Sequence, residues 1–405
     1  MSAALGSQVK RFEDATAMPA RRALVERWWL QVDPLLLLAT LALIGFGSYV
    51  VGTATHGDIP GNPDYYLTRQ IAYGVVGLVL MLVLARFDYS RLRELKLGIY
   101  GVTIALILLT LAMGTATRGS KRWIDLPFFK LQSSELGKVL LVVALSGFMV
   151  DRMRRLSDRE TTSRILLLAI LPAMLVVIQP DLGSGMVYMA IACAVLFVAG
   201  TKWTHFLAIG SITVAIVAGV LIAAPAAGVH VLKPYQVDRL TALLNPTDNP
   251  KRQGYQLTQS QVAIGSGQKT GRGPEHATQT KLDFLPEHHT DFVFSVVGEE
   301  FGFVGAAFVL SLYALLIWRA LRILTMAKNL YGALIAGGVA AMLMFQIFVN
   351  VGMTIGIMPI TGVPLPLLSY GGSSVIVTFL AVGLLQSIHV QARLSNLAKR
   401  RELVA

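Results

Sequence analysis

The chain alternates long apolar runs with short polar breaks. About ten of the runs reach the length a bilayer core requires. They cover 34–54, 67–85, 97–115, 133–150, 163–179, 182–199, 204–224, 291–318, 331–357 and 366–390. Only Gln179-Pro180-Asp181 separates the fifth run from the sixth, which predicts a tight helical hairpin. The 225–290 segment is the one long interruption and lies between the seventh and eighth runs. The pattern predicts an all-α polytopic membrane protein with about ten transmembrane helices and one long extracytoplasmic loop. It divides the chain into a basic tail (1–33), a transmembrane domain (34–392, including the 225–290 loop) and a second tail (393–405).

Composition agrees with this reading. Apolar residues make up 54% of the chain and charged residues 14%, with a mean hydropathy of +0.62. Soluble domains sit near one quarter charged. Cys193 is the only cysteine and lies in an apolar run, so it reads as a small buried residue, outside any disulfide framework or cysteine metal site. The first run is long enough to span rather than to be cleaved, so no signal peptide is expected.

The basic residues set the orientation. With the N-terminus inside, the inner breaks hold Arg86, Arg91, Arg93 and Lys96, then Arg152, Arg154, Arg155, Arg159 and Arg164. The tail residues Arg393, Lys399, Arg400 and Arg401 fall on the same side. Both termini are therefore expected in the cytoplasm. The net charge of +12 is dispersed between spans, which anchors an inner leaflet and does not suit a nucleic-acid surface.

One short outer break opposes the rule. It reads Thr117-Arg118-Gly119-Ser120-Lys121-Arg122-Trp123-Ile124, with Lys130 beyond. Such a cluster either pairs with outer-leaflet headgroups or forms an anion site, where the Arg fork matches phosphate oxygens. The following span opens Gln132-Ser133-Ser134-Glu135-Leu136-Gly137-Lys138. Glu135 and Lys138 share a helix face, so they pair with each other, or Lys138 faces Asp291 from the same outer depth.

The segment Phe284-Leu285-Pro286-Glu287-His288-His289-Thr290-Asp291-Phe292 sets two acids and two histidines against an apolar run. Ionisable groups at the mouth of a membrane helix are functional-site candidates by default. The plainer alternative is a helix start, with Thr290 as cap and Asp291 at the positive end. Glu299 and Glu300 follow about 12 Å deeper on an ideal helix. They imply a wet cavity or pairing with buried polar groups. The last outer break, 358–374, carries Pro359, Pro364 and Pro366, and then Ser369-Tyr370-Gly371-Gly372-Ser373-Ser374 interrupts the tenth run. Such irregular backbone lines a cavity or is buried in protein. In the long loop, 255–267 has the pattern of a short amphipathic helix ending at glycine. The glycines near 271 form no phosphate loop. His276, His288 and His289 lack the i, i+4 spacing of a helical zinc site.

These motifs together resemble the SEDS family of polytopic cell-wall proteins, and its elongation branch most. The resemblance runs from the first span to the last. It rests on Lys121-Arg122-Trp123-Ile124, Gln132 to Lys138, Gln179-Pro180-Asp181-Leu182-Gly183, Phe284 to Asp291 and Pro366 to Ser374. The Thr278-Gln279-Thr280-Lys281-Leu282 lead-in favours the elongation branch. Ser133 stands where the family usually has proline, and Gly137 where it often has alanine.

The resemblance implies a peptidoglycan glycosyltransferase that polymerises lipid II at the extracytoplasmic face of the cytoplasmic membrane. Asp291 matches the family's essential aspartate, and Lys138 and Glu135 its polar face on the fourth span. Substrate contacts are then expected from Arg118, Lys121, Arg122 and Trp123, and from Gln132, Ser134 and Asp181. Further contacts are expected from Glu287, His289 and Thr290, and from Ser369, Ser373 and Ser374. The implied partners are a class B penicillin-binding protein, the elongation machinery and membrane lipid. No cofactor follows firmly; a divalent cation such as Mg or Mn suits a pyrophosphate leaving group. Two rivals fit parts of the pattern. A lipid II flippase also has broken helices and buried acids, but concentrates charge at the midplane. A non-catalytic scaffold would tolerate any outer-face point mutation.

Overall fold

The computed structural model describes residues 28–117, 120–125, 130–155, 158–220, 253–282 and 284–402. Among them, eight helices are long and apolar enough to cross a membrane. They are α1 (Pro34–Ala54), α2 (Tyr65–Arg86), α3 (Lys96–Met113), α4 (Ser133–Asp151), α5 (Arg159–Ile178), α10 (Val293–Met326), α11 (Leu330–Ile355) and α12 (Gly372–Glu402). Two shorter apolar helices, α6 (Leu182–Val198) and α7 (Trp203–Ala218), coincide with the sixth and seventh runs. The chain is a multi-pass helical membrane protein. The end of the seventh run (221–224), the 225–252 part of the long loop and residues 1–27 of the basic tail lie outside the described residues.

Two helices, α8 (Gln253–Gly267) and α9 (Thr278–Lys281), occupy the described part of the long loop. The α8 helix realises the amphipathic pattern seen in the sequence. The outer break after α3 adds a small antiparallel sheet to the helical fold. It is built from β1 (Thr115–Thr117), β2 (Ser120–Asp125) and β3 (Lys130–Gln132), in the order β1-β2-β3. Trp123 on β2 pairs with Thr115 on one side and Gln132 on the other.

Most of α4, α11 and α12 is buried, whereas α2 and α3 turn most of their surface outward. The α2–α12 contact is close because a side chain on Gly77 would strike Phe379, and one on Gly383 would lie 3.0 Å from the Met81 carbonyl. Pro172 interrupts α5 and leaves the Leu168 carbonyl without its usual helical donor. The Tyr100 hydroxyl on α3 donates to that carbonyl at 3.0 Å. The break is thus satisfied inside the bilayer without water. Cys193 is half-buried, not fully enclosed as its apolar surroundings suggested.

Asp33 joins three helices at the N-terminal end of α1. Its carboxylate caps α1 by accepting from the Leu35 and Leu36 amides at 3.1 Å each. It also accepts from the Arg319 guanidinium on α10. Its backbone exchanges hydrogen bonds with the Gln386 amide on α12, at 2.8 and 3.1 Å. Asp33→Ala removes the cap, worth about 1 kcal/mol. It also leaves Arg319 without its carboxylate, at about 3–5 kcal/mol. A marked drop in thermal stability in detergent is expected, partly restored by adding Arg319→Leu. An unchanged melting temperature would refute this account.

The α10 helix is broken at Gly302, whose φ of 63° and ψ of −156° belong to glycine almost alone. The 268–273 segment of the long loop satisfies the backbone groups freed by the break. Phe303 and Val304 donate their amides to the carbonyls of Gln268 (2.9 Å) and Lys269 (3.0 Å). The carbonyls of Glu299 and Glu300 accept from the amides of Arg272 (2.9 Å) and Gly273 (3.0 Å). The stretch from 303 to 326 alone is about 36 Å long, enough to cross the bilayer. Glu299 and Glu300 therefore belong to an outer half-helix packed against the loop, and the expected cavity deep in the membrane is not needed to explain them. Glu299 accepts from the Gln279 amide (2.8 Å), the Thr280 amide (3.1 Å) and the Thr280 hydroxyl (2.8 Å). Glu300 accepts from the Thr53 hydroxyl at 2.9 Å. Pairing with buried polar groups is the reading the structure supports. Gly302→Ala should cost about 1–3 kcal/mol in backbone strain alone. Its Cβ would also lie 2.7 Å from the Gly267 carbonyl oxygen. Wild-type thermal stability in this variant would contradict the strained assignment.

Candidate active site

The polar helix ends on the side of the long loop gather into two groups joined by the irregular 359–371 segment. The first surrounds the start of α4. Asp181, in the expected tight turn between α5 and α6, caps α6 by accepting from the Ser184 amide at 3.1 Å. The same carboxylate accepts from the Ser134 hydroxyl (2.8 Å) and the Gln132 side chain (3.3 Å). Tyr188 of α6 donates its hydroxyl to the Ser134 carbonyl at 3.1 Å. That hydroxyl lies where a side chain on residue 137 would have to sit, which explains Gly137.

Lys138 follows one turn on, with Nζ 2.6 Å from Glu135 Oε1. Their side chains are 1% and 3% exposed, so the pair is enclosed by protein. Of the two readings of this helix face, pairing within it is realised. Arg122 from β2 donates to the carbonyls of Gln179 and Pro180. Two donors expected to grip phosphate thus hold the α5–α6 turn. Trp123 is half-buried beside it. Arg118 and the side chain of Lys121 lie outside the described residues.

The second group surrounds the turn ahead of α10. The helix starts at Val293 with Phe292 as cap residue and without a side-chain cap. Thr290 and Asp291 therefore do not form the helix start that capping would require. Thr290 donates instead to the Glu287 carboxylate at 3.0 Å. Glu287 has a positive φ of 58°, which turns the chain sharply before the histidines. The His289 ring packs against Tyr66 and Tyr370, with centroids 4.8 and 5.8 Å away, and its carbonyl accepts from the Tyr370 amide at 2.9 Å. Burial pushes the Tyr370 phenol well above its ordinary pKa, so it stays protonated.

Asp291 is half-buried. Asn350 of α11 donates its side-chain amide to the Asp291 carbonyl (2.9 Å) and to the Val363 carbonyl (2.8 Å). One buried amide thus fixes Asp291 against the irregular segment. A side chain on Gly362, where φ is 74°, would lie 3.3 Å from Asp291 Oδ2. The carboxylate therefore faces bare backbone there. Sequence reading missed Asn350. Its signal was one of two side-chain amides, with Gln346, inside the apolar 331–357 run.

The irregular segment is held by its own serines. The Ser369 hydroxyl accepts from the Leu365 amide at 2.8 Å, and the Ser369 carbonyl accepts from Gln70 at 3.2 Å. Ser373 donates to the Lys130 carbonyl (2.7 Å) and accepts from the Gln132 amide (2.9 Å), tying α12 to β3. Ser374 is buried at the start of α12. Among the expected site residues, Gln132, Ser134 and Asp181 meet directly, as do Glu135 with Lys138 and Glu287 with Thr290.

Comparisons with known proteins agree with this architecture. The profile of the FtsW, RodA and SpoVE family, described as cell cycle protein, matches residues 32–394. Peptidoglycan glycosyltransferase MrdB of Escherichia coli K12 is 37% identical, over 90% of this chain and 95% of the relative. Peptidoglycan glycosyltransferase RodA of Treponema pallidum is 34% identical, over 89% of this chain and 98% of its own. A chain solved in work on structural coordination of polymerization and crosslinking by a peptidoglycan synthase complex superposes with a TM-score of 0.74. It is 32% identical and covers 90% of this chain and 99% of its own length. The crystal structure of the rod shape determining protein RodA of Thermus thermophilus gives a TM-score of 0.64 at 30% identity, over 89% and 97% of the two chains. With its broken outer helix ends and the motifs that fill them, the chain belongs to the FtsW, RodA and SpoVE family, the SEDS proteins.

Proposed function

We propose that this protein is a peptidoglycan glycosyltransferase of cell elongation, polymerising lipid II at the outer face of the cytoplasmic membrane. The reading draws on relatives named for that activity and aligned over nearly their whole length. The observation that carries it here is Asp291, half-buried ahead of α10 with its backbone carbonyl held by Asn350. Both termini lie in the cytoplasm, with residues 34–392 as the membrane domain and 225–290 as its outer loop.

The reaction forms a bond between the 4-hydroxyl oxygen of one lipid II and the anomeric carbon of another. The bond from that carbon to the pyrophosphate oxygen breaks, and the displacement inverts the anomeric centre. Asp291 accepts the hydroxyl proton, for which it must lie within hydrogen-bond reach. Polyprenyl pyrophosphate leaves as an anion, so no acid is needed to protonate it. Arg118 and Lys121 attract the leaving group, and Arg122 adds positive potential while holding the α5–α6 turn. Lys138 and Glu135 set the potential on the α4 side. His289, Glu287, Thr290 and the serines of 369–374 shape the sugar-binding surface around Asp291.

The partner is a class B penicillin-binding protein that crosslinks the strands. A solved relative is described in terms of a synthase complex coordinating polymerization and crosslinking. The test is polymerisation of lipid II by the purified protein, with and without that partner. Long glycan strands are expected. Folded protein that moves lipid II across sealed vesicles and makes no polymer would replace this reading with transport.

A further inference from the structure

His288 and His289 are adjacent, so helical spacing excluded them as a zinc pair, but the structure places them on a turn. Asp58, from the loop between α1 and α2, approaches the same turn. One carboxylate oxygen and two ring nitrogens from these three residues lie within 4.8 Å of one another. We propose that Asp58, His288 and His289 form a clasp for one divalent transition ion of the zinc class, joining the first outer loop to the turn that carries Asp291.

Three observations support the clasp beyond proximity. His288 is 5% exposed, and its Nδ1 lies 3.1 Å from the Leu285 carbonyl. A carbonyl oxygen only accepts, so Nδ1 carries a proton, and in the neutral ring Nε2 is the nitrogen able to ligate an ion. Metal-binding imidazoles are commonly oriented in this way, through a hydrogen bond from the other ring nitrogen. His289 is held by Tyr66 and Tyr370, and its ring stands 73° from that of His288 with centroids 5.1 Å apart. Two ligands are therefore set by packing before any ion arrives. The third, Asp58, is an exposed side chain whose rotation can close the set. Ligands about 2.0–2.2 Å from a tetrahedral ion lie roughly 3.4 Å apart, so the closure needed from within 4.8 Å is at most about 1.4 Å.

The donor set selects the ion. Two nitrogens and one oxygen suit zinc, cobalt or nickel, whereas Mg prefers an all-oxygen shell. Mg, one of the cations compatible with the leaving group, therefore does not fit these residues. Three protein ligands leave a fourth position for water or another oxygen donor. The role assigned is mechanical. The clasp fixes the turn three residues before Asp291, and it does not depend on the reaction proposed above.

The test uses the intact purified protein and Co²⁺ as a spectroscopic probe. After loading and exchange into metal-free buffer, wild type should keep about one ion per chain and show visible Co²⁺ absorption. Loading should also raise its melting temperature. Asp58→Asn, at an exposed position, should keep the fold and lose ion, absorption and thermal shift together. His288→Asn should lose them as well. Folded wild type without stoichiometric ion overturns the clasp. So does retention of ion and spectrum in both variants at the wild-type level. None of these readouts involves glycan synthesis, so they fail or succeed separately from the glycosyltransferase reading.

Discussion

Asp291→Asn should abolish glycan polymerisation, lowering turnover by about 10²–10⁴-fold, the usual contribution of a positioned general base. The substitution keeps the side-chain shape and removes the proton acceptor. The contact from Asn350 goes to the Asp291 backbone carbonyl, so the residue stays where it is. The fold should therefore survive, and lipid II binding should change little, because the loss falls on the chemical step. Polymerisation by the purified variant should vanish while its melting temperature matches wild type. Full activity in that folded variant would remove Asp291 from the role of base.

The second large effect concerns Glu135 and Lys138. Their contact is 2.6 Å between side chains almost wholly enclosed by protein. Lys138→Met alone strands a buried carboxylate and should destabilise the protein by about 3–5 kcal/mol. Replacing both, as Glu135→Leu with Lys138→Met, removes the charge and its partner together. Such paired replacements are often neutral or stabilising. The double variant should thus melt near wild type and yet polymerise at least about 10²-fold more slowly, since the charge pattern on the α4 side is gone. A double variant that is both stable and fully active would make the pair structural only. A single variant as stable as wild type would refute the burial argument. Melting curves and product length distributions, measured on the same preparations, separate these outcomes.

Much of this architecture was readable from the apolar runs. Among the described residues each run overlaps a helix, eight of them long enough to span, because spanning segments must satisfy their own backbone groups. The Gln179-Pro180-Asp181 hairpin and the α8 amphipathic helix followed for similarly local reasons. The β1-β2-β3 sheet did not, since strands of three to six mixed residues carry no usable periodicity. Ideal helical rise misplaced Glu299 and Glu300. That arithmetic takes Asp291 as the start of the crossing, whereas the break at Gly302, beyond both acids, leaves them on a separate half-helix ahead of a stretch long enough to span by itself. Arg122 was legible as a cation but not as a tie to the α5–α6 turn, because a carbonyl acceptor 57 residues away leaves no trace in local sequence. The capping reading of Thr290 failed for a related reason. Glu287 turns the chain so that Thr290 faces back to it and not toward the helix amides. Among the candidate residues, those that met directly came from motifs where polar side chains clustered at the end of an apolar run.

The seam at Gly302 makes the long loop part of a transmembrane helix. Phe303 and Val304 owe their hydrogen bonds to Gln268 and Lys269, not to their own helix. Their amides exchange with solvent deuterium only when the 268–273 segment lifts away. Slow exchange at these two positions would then report the docked segment, and its rate would give the free energy of lifting it directly. The amides of Arg272 and Gly273 bond across the same seam and should exchange in step with them. Four backbone positions, none in the proposed chemistry, thus form a clock for how often the 268–273 segment lifts from the broken helix.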